Sequence, residues 1–288
     1  MSIDHQEIIH FGYITENDFE LQGDFPVQVT TSCSQSFLDE IKKNDFWCYS
    51  PSNKSKIFGQ STNCTMHNVY SKDHGQFMVQ CLSFLYGQKL FTKKYEYIDS
   101  VCLKRDNWGL LISNKSIENG LTYCNILWNN ITHNKTEVDA ARLKKRIFGI
   151  IHLLFMSTSN KLLQFERFIF LYIAIDACFK HFLEMNIIVK QKRNIPHKER
   201  IKCISEITGV KFSDQITEEF FYNTRNDIFH EGIYLEEPLG YRCIGGRTKN
   251  LLFAQNFLIR VIFFVLEIKA KGFIETVDTL DRTCVVIE

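Results

Sequence analysis

Two hydrophobic periods divide this chain. Up to about residue 130 the apolar residues come in short runs bounded by Gly, Asn, Asp and Ser: EIIHFGYI, FPVQVTT, KIFGQST, QFMVQCLSFLYG, YEYIDSVCL, WGLLIS and LTYCNILWNN. Short apolar runs between turn-forming residues predict strands. One helix is expected among them at SFLDEIKKNDF, where Ser36 can cap a turn opened by Phe37 and Leu38.

From about Lys135 the period changes. Val138, Ala141, Leu143, Ile147, Ile150, Ile151 and Leu154 recur at three- and four-residue steps, the spacing that lines one helical face. The same logic predicts five helices, over roughly 136–156, 160–187, 197–208, 214–231 and 248–271. The second is apolar around most of its circumference, as a central bundle helix must be. Asp176 interrupts it, and its plain structural role is to pair with a buried Arg or Lys. The fold class is therefore α+β: a β-rich N-terminal domain over 1–135 that senses or positions something, followed by an all-α bundle over 136–288.

The length of 288 residues suits two domains of ordinary size, and 45% hydrophobic residues with only four prolines describe a folded chain. The net charge of +1 hides an asymmetry. Residues 1–140 carry 12 Lys/Arg against 16 Asp/Glu, and residues 141–288 carry 22 against 17, so the second half is the better partner for a polyanion such as nucleic acid. The first thirty residues carry early acidic charge and no apolar core after a basic start, so no secretory signal is expected and the protein should remain in the cytoplasm. The apolar run from Phe168 to Ile175 stops at Asp176, far short of the roughly 20 residues that span a bilayer. No membrane partner is expected. Ten cysteines stand at wide spacings without a C-x-x-C pair, which predicts buried free thiols, no metal site and no cofactor.

Chemistry concentrates in FYNTRNDIFHEG, residues 221–232. The helix holding it opens with Ser213 and Asp214, gains Glu218 and Glu219 near its positive end, and closes at Gly232. Ile216, Phe220, Thr224 and Ile228 fall on one face and should point into the bundle. Tyr222, Asn226 and His230 form a second stripe with Arg225 and Phe229 on its flanks. In a straight α-helix Arg225 and His230 lie about 140° apart, so one helix cannot easily aim both at a small group; a cleft between two such helices can. Arg and His together suit cleavage of a phosphodiester. A guanidinium stabilises the developing negative charge, and an imidazole moves protons near neutral pH. With 11 Arg and 9 His in the chain, chance alone gives about a third of one R-x4-H match, so the spacing gains weight only from its context.

That context carries a resemblance. RNDIFHEG resembles the R-[NDH]-x3-H signature of HEPN domains, and FLYIAIDACFK resembles the first long HEPN helix, where an acidic residue commonly sits, here Asp176. The likeness covers about residues 145–275. Within HEPN proteins the chain is most similar to the ApeA-like group, through QCLSFLYGQKL and YEYIDS in the region taken as β-rich. The resemblance implies a homodimer whose two signature helices form a cleft with two copies of Arg225, Asn226 and His230. It further implies a metal-independent endoribonuclease, often aimed at tRNA, in bacterial toxin or anti-phage defence. Arg225 would bind the scissile phosphate, His230 would move the proton and Asn226 would support them, with Tyr222 and Asp176 as helpers. Some HEPN domains are inactive dimerisation units or partners of a toxin, an antitoxin or a nucleotidyltransferase, which is the alternative function. A plainer reading pairs Arg225 with Glu218 or Asp176 on an ordinary surface.

The segment VKQKRNIPHKERIK offers Lys190, Lys192, Arg193, Lys198 and Arg200 as contacts to an RNA backbone; its alternative is a solvated loop. GYRCIGGRTKN is more simply a connecting loop than a phosphate cradle. His152 and His181, within apolar helices, are expected in the core or at its rim. Trp47, Trp108 and Trp128 are expected to be buried rings.

Overall fold

The computed structural model describes residues 7–12, 64–87, 91–92, 110–158, 162–188, 195–211, 218–241, 248–272 and 283–288. It is mostly helical, with short strands. The chain divides into two compact units, Met1–Asn130 with Cys284–Glu288, and Ile131–Thr283.

In the first unit β1 (Glu7–Gly12) lies between β2 (Cys64–Val69) and β3 (Phe91–Thr92), antiparallel to both. Phe11 pairs with Cys64 on one side and Thr92 on the other, and the register shifts between Glu7 and Ile9. Helix α1 (Lys72–Tyr86) packs on all three strands. β4 (Leu110–Ile112) precedes helix α2 (Asn114–Asn134) and pairs with the strand Thr283–Ile287. The boundary between the units falls at 130–131, inside α2.

Two of the expected strands are helices. QFMVQCLSFLYG forms most of α1, and LTYCNILWNN forms the middle of α2. Every residue of α1 from His74 to Tyr86 is buried, so the helix has no polar face for periodicity to reveal. Its ends are capped: Ser71 Oγ accepts from the His74 amide at 3.1 Å, and Gly87 closes the other end at φ +70°. In α2 the buried Ile117, Leu121, Cys124, Trp128 and Ile131 step by three and four. EIIHFGYI contains β1 and WGLLIS contains β4. FPVQVTT, KIFGQST, YEYIDSVCL and the helix at SFLDEIKKNDF lie outside the described residues.

Gly120 marks the closest packing in this unit. A Cβ there would meet Leu85 Cδ1 at 2.8 Å and Ile287 Cδ1 at 3.3 Å, both on buried side chains. Alanine would add about 1 kcal/mol of helix preference, against about 1–3 kcal/mol for overfilling a packed core. Gly120→Ala is therefore expected to lower stability by about 1 kcal/mol, read as a reduced urea midpoint with an unchanged slope.

The second unit holds helices α3 (Glu137–Thr158), α4 (Gln164–Glu184), α5 (His197–Thr208), α6 (Glu218–Asn226) and α7 (Thr248–Val265). α4 touches all four others, as its apolar circumference predicts. It buries Phe168, Leu171, Tyr172, Ile175, Phe179 and Phe182. Glu166 accepts from the Leu163 amide at 2.8 Å at its start, and Asn186, at φ +61°, follows its end. The last turn of α3 is tied to two neighbours, because the Ser157 carbonyl accepts from Arg167 Nε at 2.6 Å and Gln255 Nε2 at 2.9 Å. Cys81, Cys124, Cys178 and Cys203 are buried free thiols. No helix among the described residues is long and apolar enough to cross a membrane.

Candidate functional site

The motif helix docks through Phe221, Thr224 and Ile228, all buried. Phe221 stacks on Phe168 of α4 with ring centroids 5.3 Å apart. Phe221 takes the inward place expected of Phe220, which packs edge-on beside it, and Ile216 lies outside the described residues. The one-residue offset leaves Tyr222, Arg225 and Asn226 half-buried, with Phe229 and His230 exposed.

After Asn226 the helix widens. Residues Asp227–Glu231 form a π turn, and the Gly232 amide, at φ +67°, donates to the Asp227 carbonyl. A π turn closes i→i+5 and turns about 80° per residue in place of about 100°, and such turns recur at functional sites. Three such steps bring Arg225 and His230 to about 80° apart, against about 140° in a straight α-helix. The widening narrows the angle between the two positions within a single helix.

Arg225 is held by neutral groups. Its Nη1 donates to Asn226 Oδ1 at 2.9 Å, and its guanidinium carbon sits 4.9 Å from the Phe229 ring centroid. Among the described residues no carboxylate pairs with it, so the plain surface pairing with Asp176 does not form. Asp176 is instead bound by Arg200 Nη1 at 2.6 Å and Lys180 Nζ at 3.1 Å, which is the structural role its buried position suggested. Burial pushes the Asp176 carboxyl up, but the hydrogen bonds from Arg200 and Lys180 more than offset this and hold it below the usual carboxylate value.

Next to Asp176 stands a residue that the sequence analysis passed over. His197, the first residue of α5, has Nδ1 3.1 Å from Tyr172 Oη and 3.6 Å from Asp176 Oδ1, and its ring stacks on Tyr172. Burial lowers its pKa, as do Arg200, Arg225 and Lys180, against the upward pull of Asp176. The balance favours the neutral imidazole. Burial raises the Tyr172 phenol, which Arg225 opposes. Arg225 of α6, Asp176 and Tyr172 of α4 and His197 of α5 therefore share one electrostatic neighbourhood where the three helices pack. The signal for His197 was present in IPHKER, a histidine opening a helix after proline; only the tertiary fold brings it to Asp176.

The proposed RNA contacts separate. Lys190, Lys192 and Arg193 lie outside the described residues. Lys198 is exposed and reaches Glu219 at 3.6 Å. Arg200 donates to Asp176 and to the Ile195 carbonyl and so fastens α5 to α4. His181 is buried in the core and its pKa is lowered to about 4, chiefly by burial. Trp128 is buried, and Trp47 and Trp108 lie outside the described residues. Compared with protein-family models, with curated proteins and with solved structures, the chain matches none.

Proposed function

We propose that this protein is a metal-independent endoribonuclease of the HEPN type, active as a homodimer on RNA, with tRNA an eligible substrate, in bacterial anti-phage or toxin-type defence. The observation that carries this reading is Arg225. A half-buried guanidinium oriented by an amide and a phenyl ring, with no carboxylate on it among the described residues, is a charge kept for an anion from outside. The π turn adds His230 on the neighbouring side, exposed and with no hydrogen bond to the described residues. Arg225 binds the scissile phosphate, His230 moves the proton, and Asn226 fixes the arginine. Tyr222 flanks them on the same helix.

The test is the chemistry of RNA ends. Induction of the wild-type chain is expected to generate 2′,3′-cyclic-phosphate ends that His230→Ala abolishes. Identical ends from both proteins would remove His230 from the reaction, and intact RNA would remove the reaction.

One feature favours a second reading. Phe229 is 54% exposed and Ile233 37% exposed on either side of His230, an apolar patch suited to a second copy of this helix. A HEPN module that only dimerises or binds a toxin, antitoxin or nucleotidyltransferase would use the same patch. Such a protein would lose association on Phe229→Asp and show no cleavage to lose.

A further inference from the structure

RNA cleavage by internal attack needs two proton transfers, one from the 2′-hydroxyl and one to the leaving 5′-oxygen. The motif helix supplies a single imidazole. Resting on the ribonuclease reading above, we propose that His197 is the second, with Nε2 taking the 2′-hydroxyl proton, Tyr172 and Asp176 fixing its Nδ1 side, and His230 protonating the leaving oxygen.

The geometry assigns the two nitrogens of His197 different work. Nδ1 faces Tyr172 Oη and Asp176 Oδ1, and the ring lies along Tyr172 at a 6.0 Å centroid separation. Nε2, across the ring, bonds to nothing among the described residues, and the side chain is 39% exposed. A substrate can reach it. Asp176 stays ionised because Arg200 and Lys180 bind it, so an acceptor always faces Nδ1. That favours the tautomer with the proton on Nδ1 and the lone pair on Nε2, which a base requires.

Charge around the ring keeps the lone pair available. Lys180 and Asp176 face it from α4 with the Tyr172 phenol, Arg200 from its own helix and Arg225 from α6. Tyr222 bears on Tyr172, and the exposed pair Lys198–Glu219 joins α5 to α6 nearby. Burial and the three cations outweigh Asp176, and the pKa falls below the ordinary imidazole value of 6.5. A phosphate bound at Arg225 then lies in the neighbourhood of a neutral imidazole on a different helix.

The step balances without another reactant. The 2′-O–H bond breaks as its proton moves to His197 Nε2. The freed oxygen bonds to phosphorus, the bond from phosphorus to the 5′-oxygen breaks, and that oxygen takes the proton of protonated His230. The products are a 2′,3′-cyclic phosphate and a 5′-hydroxyl, and exchange with water resets both imidazoles.

Single-turnover cleavage of bulk tRNA by the full chain, followed from pH 4.5 to pH 8, tests the assignment. Wild type should show an acidic limb with its midpoint below 6.5. His197→Gln should cut at least a hundredfold more slowly, bind tRNA equally well and lack that limb. Wild-type rate or a retained limb in His197→Gln, with Arg225→Ala and His230→Ala both inactive, would overturn the role of His197 and leave the ribonuclease reading standing. A wild-type chain that leaves tRNA intact would overturn both. If circular dichroism shows that His197→Gln does not fold, Tyr172→Phe serves in its place. Loss of the phenol oxygen alone should move the acidic limb, and an unmoved limb would overturn the proposal.

Discussion

Arg225→Ala is expected to slow RNA cleavage by about 10²–10³-fold, the usual loss when one preorganised charge-stabilising donor is removed, while the protein stays folded. The contacts forfeited in the folded state are one bond to Asn226 and one exposed ring contact with Phe229. Together these are worth about 1 kcal/mol, a shift of about 2–4 °C in a chain of this size. Arg225→Lys separates charge from shape. It keeps a cation but loses the planar fork, so it should recover only a small part of the rate. Rate constants and melting curves on the same preparations check both statements. An alanine variant that cuts like wild type would show that Arg225 meets no phosphate.

The second large effect concerns stability. Asp176 is 16% exposed and Arg200 19% exposed, and they are joined at 2.6 Å. Asp176→Asn leaves Arg200 and Lys180 facing a neutral amide, a loss of about 2–3 kcal/mol, somewhat under the cost of breaking a fully enclosed pair. The pH dependence follows from the lowered carboxyl of the folded state. A group bound more tightly when ionised contributes fully above its unfolded value of about 3.9, and the contribution drains away as pH falls through the lower folded value. Urea midpoints of wild type and Asp176→Asn should differ clearly at pH 7 and converge as pH drops below about 4. A gap that is absent at pH 7, or that stays constant on acidification, would deny the pair this role.

The helices of the second unit were legible from their three- and four-residue apolar steps and, for α4, from a length no strand reaches. Val138 to Leu154 and Phe168 to Phe182 show the three- and four-residue steps that α3 and α4 bury. Gly232 and Gly209 mark helix ends at positive φ. α1 failed as a prediction for the opposite reason: with residues 74–86 buried on every side, its pattern is that of any buried apolar run. Arg225, Asn226 and His230 were found as a string on one helix. Their relation was not, because nothing in the residue types announces that Asp227–Glu231 will widen into a π turn. His197 was invisible as a site residue because its partners Tyr172 and Asp176 stand 25 and 21 positions earlier on another helix. Local pattern carries no information about such meetings.

All but the first residue of the strand Thr283–Ile287 belong to the first unit, although the second unit precedes them in the chain. Its Ile287 amide donates to Ser116 Oγ at 3.3 Å, Asn119 Nδ2 donates to its carbonyl at 2.8 Å, and Val285 and Ile287 are buried. During synthesis, then, the ribosome releases Arg225 and His230 before the residues that complete the first unit. The helices of the second unit can assemble on a nascent chain whose first unit still lacks a strand. The first unit is therefore complete only once translation has passed residue 287.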